Sequence, residues 1–494
     1  MGAVLPAAPK QDVERVEAGI AAFIHEFKAL RRDLHEHPEL SFQEHRTSAI
    51  VAERLAHWGY SVTTGIAGTG VVGTLRRGQG SKALGIRADM DALPITEATG
   101  LPYASRNAGV MHACGHDGHT TVLLAAARFL AESGRFDGTL NLIFQPAEEH
   151  GGGANRMIGE GLFERFPCDA VFGLHNWPCV GEGHFGCVTG PAMASVDQIT
   201  ITVRGKGGHA AQPQHTPDAI LVASQLVAQL NTIVSRRIDP SESAVLSVTR
   251  IEGGHSHNVL PAEVQITGTV RSFDATVQDR IEAALRATCQ GMALASGTEV
   301  LVNYQRYYPA TLNTAAQAAL ALDAAQAVGL QAQVAPRAAF TSEDFAFMLQ
   351  RKPGAYLWLG QGRADPGPEG EWALHHPCYD FNDDALPLGV RWFCEIAARA
   401  LARRRLHGGA HGATEAEGEG VGAGVGVGSG GQYAGRGIAT HARSRSPATI
   451  ASAPDWPCAE MPLVTRPASR GGRSATGMSV TVTSVASDGK VLTP

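Results

Sequence analysis

The sequence contains no apolar run approaching the roughly 18 residues that a membrane-spanning helix requires. Its N-terminus shows no basic segment followed by an apolar core and a cleavage site, so the expected compartment is the cytoplasm. An excess of positive charge is also missing. With 41 basic against 47 acidic residues, the formal net charge of -6 offers no broad attraction to a phosphate backbone or an anionic membrane. Nucleic acid and membranes are therefore not expected as partners. Cysteine is scarce: eight thiols, at positions 114, 168, 179, 187, 289, 378, 394 and 458, are too few and too irregularly spaced for a disulfide scaffold and fit reduced thiols. A chain of 494 residues is nevertheless too long for one compact core, so more than one domain is expected.

One of those cysteines lies in a ligand-like context. Met111-His112-Ala113-Cys114-Gly115-His116-Asp117-Gly118-His119 packs one thiol, three imidazoles and a carboxylate into nine residues, with two glycines to let the backbone bend. A soft thiolate two positions from an imidazole suits zinc, cobalt, nickel or manganese-type ions better than calcium or magnesium, which favour all-oxygen shells. Further candidate ligands follow in Gln145-Pro146-Ala147-Glu148-Glu149, in Gly173-Leu174-His175-Asn176 and in Leu374-His375-His376-Pro377. A lone Cys-Gly-His is weak evidence of a metal site, whereas four such segments are not.

Apolar spacing of three and four residues between Val13 and Trp58 predicts two helices, and short β-like runs then alternate with helices up to Leu174. This grammar predicts an α/β fold with a mixed sheet covered by helices on both faces. Asp89 and Asp91 follow one predicted strand, Glu148 and Glu149 a second and His175 a third. Strand ends are where ligand sites form in open α/β sheets, because loops there converge without disturbing the hydrogen-bonded ladder. From 190 to 307 the order changes to strand, helix, strand, strand, helix, strand, the ferredoxin-like βαββαβ pattern, with one helix expected from Pro217 to Ser235. The expected organisation is thus a discontinuous α/β domain (1–189 and 308–407), an inserted ferredoxin-like domain (190–307), and a low-complexity, disordered tail (408–494).

Taken together, Arg32 to Leu40, Arg87 to Pro94, the metal segment, Gln145 to Glu149, Gly207 to Ala211, His257 to Pro261, Ser342 to Phe345 and Leu374 to Pro377 resemble the hippurate hydrolase branch of the co-catalytic metallopeptidases. That branch includes N-acyl-amino-acid amidohydrolases and auxin-conjugate hydrolases. The resemblance runs from about residue 16 to 405, with the motifs in family order. It implies a metal-dependent amidohydrolase acting on small N-acyl or N-aroyl amino acids. Cys114, His116, Glu149, His175 and His375 would hold two divalent ions (manganese, zinc, cobalt or nickel), and Glu148 would be the acid/base. The family register favours His375 over its neighbour His376, and places Asp89 and Asp91 behind the ligands as orienting groups. It further implies that His209 reaches the active site of a partner subunit to help hold the oxyanion, and hence a homodimer joined through the insert. Asn258 and Arg271 are weaker candidates for gripping a substrate carboxylate.

Two rival readings stand beside this one. The same machinery could serve a dipeptidase or carboxypeptidase-like enzyme. A catalytically dead metal-binding dimer is the other, although every candidate ligand and Glu148 are present. RNA binding by the insert is disfavoured, because its strands lack the aromatic platform such binding uses.

Overall fold

The computed structural model describes residues 10–335, 337–363, 365 and 371–402. Three helices open the chain, α1 (Lys10–Ala21), α2 (Ile24–Glu36) and α3 (His45–His57), where two were expected. The extra break falls at Ala22 and Phe23. There the chain turns so that Phe23 meets Phe27 edge-on at 5.5 Å between ring centroids, and both rings are buried. The main layer then follows as β1 (Ser61–Ile66), β2 (Gly70–Arg77), β3 (Ala83–Asp89), α4 (His116–Ser133), β4 (Gly138–Gln145), α5 (Gly153–Gly159), α6 (Leu162–Arg165), β5 (Ala170–Gly181), β6 (His184–Cys187) and β7 (Gly190–Met193).

Next come β8 (Val196–Arg204), β9 (Gly208–His209), α7 (Ala219–Leu230), α8 (Ile233–Arg237), β10 (Ala244–Glu252), β11 (Val259–Leu260), β12 (Glu263–Ser272), α9 (Ala275–Ser296) and β13 (Glu299–Tyr308). The chain closes with β14 (Thr311–Asn313), α10 (Ala315–Ala327), β15 (Gln331–Val334), α11 (Ala346–Arg351), β16 (Gly354–Gly362) and α12 (Leu386–Ala400). The single helix expected from Pro217 to Ser235 is two. It starts at Ala219 because the Asp218 carboxylate accepts the amides of Ile220 and Leu221, and the chain turns at Asn231 and Thr232 before α8. The tail expected to be disordered from residue 408 lies outside the described residues.

Among the described residues, β1-β2-β4-β3-β5-β16-β6-β15 form one mixed sheet. Successive side chains of a strand point to opposite faces, and this sheet buries both. Leu140, Leu142 and Phe144 enter a cluster with α2, α4 and α12, while Ile143 enters another with Ala154, Leu162 and Met348 on the other face. Helices therefore cover both faces, and the fold is mixed α/β. A separate antiparallel sheet, β10-β12-β8-β13, packs Ile199, Ile201, Val203 and Ile266 against Leu226, Ile281 and Leu285 of α7 and α9. The chain enters that sheet from β7 and leaves it into β14, and these two strands pair antiparallel with each other. No helix among the described residues is long and apolar enough to cross a membrane.

The parallel register is what positions the chemistry. β3 pairs with β4 so that Asp89 stands opposite Gln145, and β3 pairs in parallel with β5, which carries His175. Asp91 and Glu148 thus follow the carboxyl ends of β3 and β4, while His175, expected just past a strand, lies inside β5 opposite Trp358 because β5 runs on to Gly181. Helix α4 starts above those ends and is buried nearly all round, clamped between the sheet and α2.

The clamp is partly ionic. His35 of α2 is fully buried, with Nδ1 2.9 Å from Asp117 Oδ2 and Nε2 3.3 Å from Glu97 Oε1, while Arg31 Nε donates to Asp383 Oδ1 at 2.7 Å. Burial pulls the His35 pKa down, but the bonds to Asp117 and Glu97 outweigh it and hold it at about 9, above the ordinary 6.5. A histidine raised on folding stabilises fully below its ordinary pKa, and that contribution is lost as pH rises through the folded value. The denaturant midpoint should accordingly fall as pH rises from 6.5 to about 9, and His35→Asn should flatten that slope. An equal slope in the variant would remove His35 as its source.

Candidate metal centre

The Cys114–His116 bend depends on Gly115, which sits at φ +93. A Cβ there would lie 2.4 Å from Asn176 Oδ1 and 2.7 Å from Tyr379 Oη, so neither the conformation nor the space admits a side chain. The bend aims both side chains at the sheet edge. His116 donates from Nδ1 to the Asp91 carbonyl at 2.9 Å, which leaves Nε2 with its lone pair free. His175 donates likewise from Nδ1 to the Asn176 carbonyl at 2.7 Å, and its Nε2 lies 3.4 Å from Cys114 Sγ.

Glu148 and Glu149 are delivered by a backbone held in unusual shape. Ala147 lies at φ +55, and its amide is accepted by Glu44 Oε1 at 2.9 Å. The next two amides, of Glu148 and Glu149, donate to Oδ1 and Oδ2 of Asp91, each at 3.0 Å. One carboxylate thus fixes both glutamates while its own main-chain carbonyl fixes His116. The His375 amide donates to the Ala113 carbonyl at 2.7 Å with its backbone at φ +64, an arrangement that costs about 1–3 kcal/mol for a non-glycine residue. It brings Nε2 to 3.2 Å from Glu149 Oε1.

The ligand atoms of Cys114, His116 and His175 lie within 4.8 Å of one another, as do those of Cys114, Glu149 and His375, and those of His116, Glu148 and Glu149. The first two sets share the thiol. All five expected ligands and Glu148 are therefore gathered in one place. His376 is engaged elsewhere: its ring stacks on Trp372 at 4.2 Å, and its Nδ1 accepts the Cys378 amide. Asp89 uses one oxygen on His119 Nδ1 at 2.6 Å and the other on Arg87 at 2.7 Å. Of the remaining three expected residues, Arg271 is on the second sheet, while His209 and Asn258 are at the separate two-stranded β9–β11 pair. His209, on β9, is exposed and accepts the Ala211 amide, and Asn258 takes the Ala210 amide on its carbonyl beside it. Arg271, on β12, bonds Thr269 and the Val270 carbonyl.

Several participants carry no signal at the level of single residues. Arg87 is fully buried and donates to Asp89, Glu343, Asp344 and Gln145. Asp344 returns its amide to Glu148 Oε1 at 3.3 Å. Glu44, Asn176 and Tyr308 also hold the site. The Ser342-Glu343-Asp344 motif flagged this region, but nothing in it announces a partner on β3.

Residues 85–399 match the profile of the peptidase family M20/M25/M40. The chain belongs to this family. It is 42% identical over 378 residues to the hippurate hydrolase of Campylobacter jejuni, spanning 76% of this chain and 97% of that protein. Its identity to an N-acetyl-L-cysteine deacetylase of Bacillus subtilis is 40% over 373 residues, 75% of this chain and 87% of that one. The crystal structure of the Bacillus subtilis YXEP protein, described as a dinuclear metal binding peptidase of the M20 family, matches with a TM-score of 0.68 at 33% identity, covering 77% of this chain and 99% of that one.

In this M20 chain the residues fit a cationic guest. His116 Nε2 and Glu149 Oε1 are buried without hydrogen-bond partners, a costly state that an ion between them would relieve. Burial pulls the His116 pKa down, yet Asp89 and Asp91 hold it up at about 10, which reports the negative field at that spot. Burial, reinforced by Glu149 and Glu148, pushes the Cys114 thiol well above its usual range, so a nearby cation is what would ionise it. His175 is kept neutral by burial and by neighbouring His119, as a ligand must be. Asp91→Asn should weaken metal affinity by about 10- to 100-fold, read by competition with a chelator. Unchanged affinity would deny Asp91 its orienting role.

Proposed function

We propose that the chain is a metal-dependent amidohydrolase that cleaves the amide bond of N-acyl or N-aroyl amino acids, releasing a carboxylic acid and a free amino acid. The observation that carries this reading is the meeting of two donor sets at the Cys114 thiol, with Glu148 beside them. In support, the relatives named above include a hippurate hydrolase and a deacetylase. Cys114, His116, Glu149, His175 and His375 would hold two divalent transition-metal ions, manganese, zinc, cobalt or nickel. Such a pair supplies a polarised carbonyl and a water acidified toward a pKa of about 7.

Glu148 would take a proton from the attacking water as that oxygen joins the acyl carbon, and would hand it to the amide nitrogen as the C–N bond breaks. Burial, with Glu343, Glu149 and Asp344 nearby, raises the Glu148 pKa well above the usual carboxylate range. That direction belongs to the cluster without its ions, whose positive charge would lower it and leave a carboxylate able to take the proton. Asp89 and Asp91 orient the ligands. The 190–307 segment is read as a ferredoxin-like insert serving as lid and dimerisation unit, which carries His209 to the oxyanion of a partner subunit and Asn258 and Arg271 to the substrate carboxylate. A peptidase specificity is the second reading, favoured by 35% identity over 386 residues to a thermostable carboxypeptidase 1 of Saccharolobus solfataricus.

A panel of hippurate-type substrates and dipeptides, assayed with and without added manganese, zinc, cobalt or nickel, separates the two. Turnover of N-acyl amino acids is expected, and turnover of dipeptides alone would replace the acyl reading with the peptidase one. Glu148→Gln should lower kcat by about 10²- to 10⁴-fold with bound metal near wild type. Turnover within twofold of wild type would take Glu148 out of the reaction.

A further inference from the structure

The last strand of the second sheet unit ends against the catalytic loop. Tyr308, the final residue of β13, donates its hydroxyl to the main-chain carbonyl of Glu148 at 2.7 Å and accepts the Gly152 amide at 3.2 Å. Its neighbour Tyr307 accepts the Gly151 amide at 2.7 Å. The two rings stack at 4.5 Å, and Tyr308 meets Phe347 of α11 edge-on at 6.0 Å. Two adjacent residues of a strand normally face opposite ways. Here the ladder to β8 slips between Arg306 and Tyr308, and both phenols reach the same loop.

We propose that Tyr308 is a positioning residue that ties the β10-β12-β8-β13 sheet to the backbone of Glu148 and so holds the acid/base in place. The inference rests on the amidohydrolase reading of Glu148. The peptide plane between Glu148 and Glu149 is gripped at both ends: its N–H by Asp91 Oδ2, its C=O by Tyr308 Oη. With both ends held, the orientation of that plane is fixed, and with it the direction in which each glutamate side chain leaves the backbone.

The loop needs such support. Ala147, Gly151 and Gly152 all have positive φ, and the segment from 146 to 152 belongs to no helix or strand. Tyr308 is buried, and burial raises its pKa well above the ordinary phenol range, so it remains a donor at working pH. Its strand belongs to the unit reached through the paired β7 and β14, so rotation of that unit about the ribbon would pull on Glu148.

The experiment compares the wild type with Tyr308→Phe and Tyr307→Phe. Tyr308→Phe keeps the ring but leaves the Glu148 carbonyl without its donor, and should lower kcat by about 10- to 100-fold, with KM within about twofold and bound metal unchanged. Tyr307→Phe, which frees only the Gly151 amide, should keep kcat within about twofold. Hydrogen exchange supplies an arm independent of activity: the Gly151 and Gly152 amides should be protected in the wild type, each exchanging faster when its own phenol is lost. The proposal is overturned by fast exchange at both amides in the wild type, by kcat of Tyr308→Phe within twofold of wild type, or by a loss that excess metal restores. Absence of wild-type turnover on every amide of the panel would fail the amidohydrolase reading instead, and the exchange arm would still read the latch.

Discussion

Six carboxylates, Asp89, Asp91, Glu148, Glu149, Glu343 and Asp344, converge on one edge of the main sheet with little or no solvent exposure. Removing an ion from water costs several kcal/mol even after relaxation, and both oxygens of Asp89, Asp91, Glu343 and Asp344 are met by donors. Arg87 serves Asp89, Glu343 and Asp344 at 2.7, 2.9 and 3.1 Å. Asp91 is satisfied by Ser41 and by two backbone amides. The Glu149 oxygen left over is the one that faces Nε2 of His116 at 4.0 Å and Nε2 of His375 at 3.2 Å. Buried carboxylates opening onto imidazoles and a thiol make a donor set suited to a cation.

That charge balance also explains why distant parts of the chain are bound together. Arg87 joins β3 to Glu343 and Asp344, more than 250 residues later, and Gln145 on the neighbouring strand donates to the same Asp344 carboxylate at 2.7 Å. Tyr356 of β16 closes the cluster through its hydroxyl on Glu343. A guanidinium with five donors in a rigid fork can serve several acids at once, a task for which lysine lacks the geometry. Removing it would leave three buried carboxyl groups without their guanidinium partner, so the cluster ties β3 and β4 to β16 and to Glu343 and Asp344.

Within the site, main-chain polar groups do as much positioning as side chains. The positive φ angles at Ala147 and His375 turn amides toward Glu44 and Ala113, and Asp91 and Tyr308 hold the peptide between the two glutamates. Strain of this kind persists where surrounding bonds over-determine the backbone. It lets Glu149 enter the ligand cluster while Glu148, next in the chain, stands alongside.

The sequence alone determined which residue types could meet a metal ion and on which kind of element they sit. The short Cys114-Gly115-His116 spacing, the adjacent glutamates and the placement of Asp89 and Asp91 at a strand end are local patterns, and local patterns survive in one dimension, whereas His175, expected just past a strand, lies inside β5. The alternating grammar of strands and helices likewise made the mixed α/β layer readable. Helix breaks were not readable, because at Phe23 the decision belongs to ring packing and not to apolar period. Nor was the roster of supporting groups: Arg87 with Asp344, Glu44 with Ala147 and Tyr308 with Glu148 pair across 103 to 257 residues. Which of His375 and His376 faces the carboxylates, and which oxygens remain free for an ion, were decided only by tertiary structure. Hydrogen-bond satisfaction is a property of the folded neighbourhood, and no spacing along the chain encodes it.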